Sequence, residues 1–265
     1  MTQRGVVEAF ESAARLAVDR AGTIIKRRWH EQQRRIERKS TAIDLVTEVD
    51  RACEEAILGV ITSAFPEHAV LAEESGARGD HEFLWLIDPL DGTTNFAHRY
   101  PQVSVSLALS RRGETILGLV YDPVREELFS ARRGSGARMN DRRLEVSTTA
   151  DLGSALLASG FPYDRREHAD YYLSFFKGFM MRTQGVRRAG SAALDLCWVA
   201  VGRVDGFWEW KLKPWDTAAG ALIVEEAGGR ISDFEGGHFD PFGEQTVASN
   251  GRIHQQMIEV LAPLL

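Results

Sequence analysis

The sequence predicts an α/β protein of two closely packed lobes, and three observations support this prediction. Apolar residues with helical spacing come first, short alternating runs follow, and strands and helices alternate from about residue 151. The chain has 265 residues, 44% of them hydrophobic, and contains no repeat, linker or low-complexity segment. We therefore predict an N-terminal α+β lobe over residues 1–150 and a C-terminal α/β lobe over residues 151–265.

The first lobe opens with two amphipathic helices. One apolar stripe predicts a helix over about residues 5–29, and a second stripe that includes Val49, Cys53 and Ile57 predicts another. Between them, the charged stretch from Glu31 to Lys39 is expected to be solvated and to lead into a loop. Period-two or short apolar runs then predict five strands, at Ala69–Ala72, Phe83–Ile87, Val103–Leu109, Thr115–Tyr121 and Glu127–Ala131.

The second lobe alternates between the two kinds of element. Strands are predicted at Ala155–Ser159, around Val186, and at Val204–Trp210, Arg230–Asp233 and Thr246–Ser249. Helices are predicted at Glu167–Met181, Ser191–Val201 and Asp216–Ala227, and a last helix closes the chain. This order is typical of α/β proteins, which gather functional groups where strands end.

Composition narrows the class of protein. The net charge of −6 argues against a nucleic-acid partner or an anionic membrane surface. No apolar run approaches the length of a membrane span, and the first ten residues lack the apolar core of a secretory signal. Cys53 and Cys197 have no metal-type spacing, so we expect buried free thiols and a reducing, cytoplasmic location.

Acidic residues cluster in four places, and each cluster has a structural explanation on its own. Asp and Pro in Asp88-Pro89-Leu90-Asp91 are typical of a turn. Thr47 to Asp50 resembles a capping box, and Asp216 is a good N-cap for the helix that follows it. Glu73-Glu74 is compatible with a solvated strand end.

Taken together, the clusters favour a metal site. Three of them lie where an apolar run stops, and carboxylates that converge there repel one another unless a cation lies among them. Carboxylate oxygens favour Mg²⁺, which often binds together with a phosphate group, and no histidine pair has zinc spacing. Asp88 and Asp91 could hold two ions, and Gly92-Thr93-Thr94 could begin a helix whose N–H groups bind phosphate.

Two long motifs resemble the signatures of the inositol monophosphatase family. The first runs from Trp85 to Phe96 (WLIDPLDGTTNF), and the second from Trp215 (WDTAAG) to Gly229. Glu73-Glu74-Ser75 and the stretch from Asp44 to Asp50 match further elements in the right order. The stretch from Arg187 to Asp195 is similar to bacterial members in particular, and the resemblance spans nearly the whole chain.

The resemblance implies a layered αβαβα sandwich of the inositol monophosphatase and fructose-1,6-bisphosphatase type, usually a homodimer, that hydrolyses phosphomonoesters with Mg²⁺. It implies that the N-terminal lobe carries most metal ligands, whereas the C-terminal lobe carries Asp216 and the substrate-binding residues. By matched position, the metal ligands are Glu73, Asp88, the Leu90 carbonyl, Asp91 and Asp216. The matched catalytic residues are Asp50 and Thr93, which position the attacking water, and Glu73.

The resemblance also assigns the substrate-binding positions. Phosphate contacts fall on Gly92, Thr93 and Thr94. Contacts to the polyol fall on Gly190, Ser191, Ala192 and Glu209, together with Asp91 and Asp216. Lys39 falls in a mobile loop that closes over the metals.

One stretch departs from the family pattern. Trp210 and Lys211 follow Glu209, where many members have small or aliphatic residues. One interpretation makes Trp210 part of the core and leaves Lys211 in solvent. The alternative is that Lys211 reaches a second anionic group on the substrate.

The predicted function is a Mg²⁺-dependent phosphatase of inositol monophosphate or a related small sugar phosphate. Fructose-1,6-bisphosphate, histidinol phosphate and 3′-phosphonucleotides are the alternative substrates. A different class of function, a catalytically idle fold that serves as a binding partner, is disfavoured because every matched metal ligand is present.

Overall fold

A computed structural model describes the backbone of residues 3–29, 36–38 and 45–265, and the side chains of residues 8–29 and 48–265. The described part of the first 150 residues consists of three helices and ten strands. The helices are α1 (Gln3–Trp29), α2 (Glu48–Ala64) and α3 (Thr93–His98). The strands are β1 (Ile36–Arg38), β2 (Leu45–Thr47), β3 (Ala69–Ala72), β4 (Gly76–Arg78), β5 (Phe83–Asp91), β6 (Ser104–Arg111), β7 (Glu114–Asp122), β8 (Glu127–Arg132), β9 (Ala137–Met139) and β10 (Arg142–Arg143).

The remaining residues alternate strands with helices, as predicted. The strands are β11 (Leu156–Ser159), β12 (Gly185–Arg187), β13 (Gly206–Trp210), β14 (Arg230–Ser232) and β15 (Gln245–Ser249). The helices are α4 (Ala169–Met180), α5 (Ala192–Ala200), α6 (Pro214–Glu226) and α7 (His254–Leu261).

Two large sheets organise these elements. The first has eight strands in the order β10-β9-β8-β7-β6-β5-β3-β4, and only β3 and β5 pair in parallel. The second has five strands in the order β12-β11-β13-β15-β14, with β11 parallel to both of its neighbours. A separate antiparallel pair joins β1 to β2.

Alternation along the strands divides the apolar residues into three cores. In β5, Trp85 and Ile87 belong to a core shared with α1 and α2, whereas Leu86 faces the opposite side of the sheet. In β13, Phe207 faces the same middle core as Leu86. Trp208 faces the third core, on the other side of the second sheet. Each sheet therefore buries both of its faces against helices.

Helices fill the three spaces that this alternation creates. Apolar residues of α1 and α2 cover the outer face of the eight-stranded sheet. Apolar residues of α5 and α6 fill the space between the two sheets. Aromatic and aliphatic residues of α4 and α7 cover the outer face of the second sheet, where the Phe179 and Trp208 rings lie 4.1 Å apart. The layer order is αβαβα, which confirms the predicted fold class.

Short polar strands were missed by the sequence analysis. Residues 36–38 form β1 within the stretch that the sequence predicted to be solvated, and they pair with β2; none of β1, β2, β4, β9 and β10 was predicted as a strand. These strands have only two or three residues, too few for a period of two to be recognised. The prediction for the thiols is confirmed, since Cys53 and Cys197 are buried and free.

The boundary near residue 150 stays a prediction. The eight-stranded sheet uses residues before it and the five-stranded sheet uses residues after it. Helix α6, however, packs against β5–β8 of the first sheet as well as β14 and β15 of the second.

Candidate active site

An irregularity in β5 places the two acidic residues of the first motif. Asp88 pairs with Ser106 and Asp91 with Ser104, so β5 carries one more residue than β6 between these pairs. The Leu90 amide donates a hydrogen bond of 3.0 Å to Asp88 Oδ1. The prediction of a turn at Asp-Pro-Leu-Asp is thus wrong, because the stretch is a bulge within a strand that continues to Asp91. The bulge interrupts the alternation of side chains between faces.

Gly92 connects this strand to α3, as the sequence predicted. Its φ of 91° lies in the left-handed region, and a Cβ atom there would come within 2.7 Å of the Gln102 carbonyl oxygen. A side chain is therefore excluded by both conformation and space. Thr93 begins the helix and Thr94 is exposed.

Asp50 and Thr93, which lie 43 residues apart in the chain, meet at the site. Thr93 Oγ1 lies 3.0 Å from Asp50 Oδ1 and 3.1 Å from the Leu90 carbonyl oxygen. Asp50 belongs to α2 and is 1% exposed. Because the hydroxyl has a single proton, it donates to one of these acceptors at a time.

Asp91 joins the first sheet to α5. Its Oδ2 accepts hydrogen bonds from the Ser191 hydroxyl at 2.6 Å and from the Ala193 amide at 2.9 Å. The carboxylate therefore lies at the N-terminus of a buried helix, where the helix dipole and free N–H groups stabilise negative charge. Ser191 and Ala192, both predicted substrate-binding residues, are positioned by this contact.

Asp216 lies in the first turn of α6, where its carboxylate accepts a hydrogen bond of 2.7 Å from the Lys213 amide. Lys213 occupies the N-cap and Asp216 the third helical position. The expectation that Asp216 is itself the N-cap is wrong, because Pro214 occupies the first turn and the helix starts two residues earlier.

Glu73, Asp88, Asp91 and Asp216 lie close enough to perturb one another. Burial raises the pKa of Asp88 well above its usual range, and the charges of Glu73, Asp91 and Asp216 raise it further. Burial raises the pKa of Asp91 to about 6, against the hydrogen bonds from Ser191 and Ala193, and the charge of Glu73 adds to the rise. Burial and then the charge of Asp91 raise the pKa of Asp216.

This acidic group fits a hard cation by its chemistry. Burial and mutual repulsion both disfavour negative charge on Asp88, Asp91 and Asp216, and a cation bound among them would offset this cost. Carboxylates and the Leu90 carbonyl are the oxygen ligands that Mg²⁺ prefers. Among the side chains that the structure describes, no three His, Cys, Asp or Glu residues already form a metal-binding group. The ligand assignments therefore stay predictions.

The other predicted polyol-binding residues lie near Asp91, which bonds to Ser191 and whose charge acts on Glu209. Glu209, in β13, is 9% exposed, and its carboxylate contacts the backbone of Gly160, where a Cβ atom would lie 2.1 Å from either oxygen. Burial raises the pKa of Glu209 to about 8, whereas the charge of Arg188 lowers it. Gly190 has a φ of 88° and immediately precedes Ser191.

Two polar residues of this region were not singled out as functional by the sequence analysis. The Asn95 amide nitrogen lies 2.8 Å from the Gln102 carbonyl oxygen, 2.9 Å from that of Ala189 and 3.1 Å from that of Gly190. It thereby ties α3 to the segment before α5. Its place in the first motif was the only feature of the sequence that could have indicated a functional role for Asn95. Its partner Gly190 lies 95 residues away, so no local pattern links the two.

Asp195 is the second such residue. It is buried in α5, and its Oδ1 has no hydrogen-bond partner among the described residues. Burial raises its pKa well above the usual range, and the charges of Glu209 and Asp91 raise it further.

The structure distinguishes between the two interpretations of Trp210 and Lys211. Trp210 packs against the outer core, 4.6 Å from the Phe234 ring, as the core interpretation predicted. Lys211 is exposed, but its Nζ lies 2.6 Å from Asp164 Oδ2. Its anionic partner in the structure is thus a residue of the protein. Lys39 and Asp44 lie outside the described residues.

Comparison with known proteins assigns the chain to a family. The model of the inositol monophosphatase family matches residues 7–264. The chain belongs to the inositol monophosphatase family. This confirms the resemblance drawn from the two motifs and identifies the protein as a phosphatase.

Relatives within the inositol monophosphatase family support the same assignment. The chain is 49% identical to the inositol-1-monophosphatase of Synechocystis sp., over 93% of this chain and 86% of that protein. It is 44% identical to Nus factor SuhB of Escherichia coli, over 91% of both chains. The inositol monophosphatase structure from Anabaena (Nostoc) sp. superposes with a TM-score of 0.89, at 41% identity, over 97% of this chain and 96% of that one.

None of the helices in the described residues has the length and apolar character of a membrane span.

Proposed function

We propose that this protein is a Mg²⁺-dependent phosphomonoesterase that acts on inositol monophosphate or a related small sugar phosphate. The contact between Thr93 and Asp50 beside the acidic group is the observation that carries the proposal. A hydroxyl bonded to a buried carboxylate next to a cation site is suited to positioning a water molecule for attack on phosphorus.

The chain's own residues account for the movement of the proton that leaves the attacking water. A water molecule that donates to Thr93 Oγ1 has a lone pair free to attack. As the water loses its proton to Thr93 Oγ1, the Thr93 proton can pass to Asp50 Oδ1, 3.0 Å away. Asp50 and Thr93 thus orient the nucleophile and hold its proton.

The remaining predicted residues bind the substrate and the cation. Glu73, Asp88, Asp91, Asp216 and the Leu90 carbonyl would hold Mg²⁺, which supplies positive charge for the phosphate oxygens and activates water. Gly92, Thr93 and Thr94 would donate to the phosphate, and the absence of a side chain at Gly92 permits close approach. Ser191 and Glu209, with the backbone of Gly190 and Ala192, would face the hydroxyl groups.

A matched series at Asp50 and Thr93 tests the water-positioning role. We expect Asp50→Asn to lower kcat by about 100-fold or more, because the acceptor for the Thr93 proton is lost. Thr93→Val should behave similarly, whereas Thr93→Ser keeps the hydroxyl and most of the activity. Thermal unfolding of each variant provides the control.

The capping-box interpretation of Asp50 predicts the opposite result for Asp50→Asn, a loss of stability with kcat unchanged. A cap contributes about 1 kcal/mol to stability, which corresponds to a Tm change of roughly 2–4 °C in a chain of this size. An Asp50→Asn protein that melts earlier but keeps its kcat would support capping and refute the catalytic role.

Glu209→Gln tests polyol recognition. Because the pKa of Glu209 is raised to about 8, the assay is made at about pH 9, where the carboxylate is charged. Charge-assisted hydrogen bonds contribute roughly 1.5–3 kcal/mol, so kcat/KM for inositol monophosphate should then fall about ten-fold or more. An aryl phosphate offers no hydroxyl groups, so hydrolysis of p-nitrophenyl phosphate should be nearly unchanged. Equal losses for both substrates, with lower stability, would instead indicate that Glu209 supports the strand only.

A panel of phosphate esters, assayed with Mg²⁺ and with EDTA, tests the function as a whole. Inositol and sugar monophosphates are expected to be the best substrates, ahead of fructose-1,6-bisphosphate, histidinol phosphate and 3′-phosphonucleotides. The name of the Escherichia coli relative, Nus factor SuhB, is the observation that favours a second candidate, a role in binding another macromolecule. A purified protein with no Mg²⁺-dependent hydrolysis of any ester would favour that candidate.

The proposed setting is the cytoplasm, and the proposed assembly is a homodimer. Buried free thiols at Cys53 and Cys197 are compatible with a reducing compartment. Sedimentation of the purified protein would test the dimer.

A further inference from the structure

The segment of residues 160–168, here called the β11–α4 connection, forms part of the surface around Glu209. It leaves the end of β11 at Gly160 and reaches the start of α4. Because the Glu209 carboxylate lies directly against Gly160, any shift of this backbone would leave a gap beside the carboxylate or displace it. The position of Glu209 therefore depends on the position of the connection.

A three-residue cluster, the Asp164 cluster (Asp164, Tyr172 and Lys211), fixes the connection. Asp164 Oδ2 accepts from Lys211 Nζ at 2.6 Å, and Asp164 Oδ1 accepts from the Tyr172 hydroxyl at 2.9 Å. Lys211 follows β13, whereas Tyr172 belongs to α4. Both oxygens of Asp164 are used, so the connection is held by elements on either side of it.

The backbone conformation at Lys211 restricts which residues are suited to this position. Its φ of 58° lies in the left-handed region, which is unfavourable for a residue with a long side chain, and its amide donates to the Glu244 carbonyl oxygen at 2.6 Å. Glycine or asparagine would adopt this conformation more readily. A lysine therefore occupies a position where local backbone energetics favour other residues.

We propose that Lys211 is a positioning residue for polyol recognition. Through Asp164 it holds the β11–α4 connection, and through Gly160 the connection holds the Glu209 carboxylate in place for the substrate hydroxyl groups. This inference rests on the proposed function, since it requires Glu209 to bind the polyol. An exposed ion pair contributes little to stability, so the effect should appear in selectivity and not in folding.

The variant Lys211→Asn tests the proposal without straining the backbone. It removes the ion pair and leaves a residue that tolerates a positive φ. We expect kcat/KM for inositol monophosphate to fall about five-fold or more, chiefly through KM, while p-nitrophenyl phosphate hydrolysis stays within about two-fold. The separate variant Lys211→Arg keeps a positive charge and should keep most of the wild-type preference for inositol monophosphate. Amide hydrogen exchange should become faster in residues 160–168.

Lys26→Asn is the matched control. Lys26 Nζ also lies 2.6 Å from a carboxylate, that of Glu126, and its side chain is 40% exposed, compared with 38% for Lys211. Lys26 belongs to α1, away from β13 and the connection. This substitution should change neither substrate's kinetics nor exchange in residues 160–168.

A double-mutant cycle separates this inference from the proposed function. If Lys211 acts through Glu209, adding Lys211→Asn to Glu209→Gln should lower kcat/KM for inositol monophosphate by less than about two-fold further. Additive losses, parallel losses for both substrates, or unchanged exchange in residues 160–168 would overturn the inference. A selective effect of Glu209→Gln together with no effect of Lys211→Asn would overturn the inference alone. A wild-type protein that hydrolyses neither ester would overturn the proposed function.

Discussion

Asp91→Asn is expected to lower kcat for any phosphomonoester by several orders of magnitude. Asparagine keeps the shape and an acceptor oxygen for Ser191 and Ala193, so the link to α5 can persist. The substitution removes one negative charge from a proposed cation ligand, and loss of a metal's charge stabilisation can cost many kcal/mol in the transition state. Kinetics with p-nitrophenyl phosphate over a range of Mg²⁺ concentrations would measure the loss.

Asp195→Asn is the matched control for Asp91→Asn. It makes the same chemical change in another buried carboxyl of the same region. Because Asp195 is not among the proposed metal ligands and its Oδ1 has no hydrogen-bond partner among the described residues, activity should stay within about ten-fold of wild type. Activity near wild type in Asp91→Asn would refute the metal assignment.

The second large effect is a pH-dependent loss of stability without Mg²⁺. The pKa of Asp91 is raised to about 6 in the folded protein, from an ordinary value of 3.8. Stability linked to the bound proton is fully present below the ordinary value and is lost as pH rises through the folded value. Asp91 alone should cost roughly 1–2 kcal/mol between about pH 5 and pH 8, and Asp88 and Asp216, whose pKa values are also raised, should add to it.

Thermal unfolding in EDTA would measure this loss. The Tm should be lower by about 3 °C or more at about pH 8 than at about pH 5. Mg²⁺ should raise the Tm more at the higher pH, because carboxylates must lose their protons before they bind metal. Sodium chloride at equal ionic strength is the control. A Tm in EDTA that rises over this interval, or a Mg²⁺ effect matched by sodium chloride, would contradict the acidic group.

The sequence predicted long elements and compact motifs better than it predicted local irregularity. Helices α1 and α2 were predicted because their apolar spacing persists over several turns. The bulge in β5 was missed because Asp and Pro are equally typical of turns, and only pairing with β6 distinguishes the two. The N-cap of α6 was misplaced for a similar reason, since Asp216 suits either position.

Contacts between distant parts of the chain were the least accessible from the sequence. Ser191 bonds to Asp91 across 100 residues, and no local pattern in either segment indicates that bond. The proximity of Glu209 to Gly160 follows from the parallel pairing of β11 with β13. Such proximity depends on the order of strands in the second sheet, which hydrophobic periodicity does not specify.

The helices between the two sheets make the spacing of Asp91 and Asp216 insensitive to loop length. Asp91 is bonded to the first turn of α5, and Asp216 lies in the first turn of α6. These two helices pack against each other and against both sheets. The spacing of the two carboxylates is therefore determined by side-chain packing. Insertions in surface connections far from the site can accumulate during evolution without altering that spacing, so substrate preference can diverge while the hydrolytic chemistry is kept.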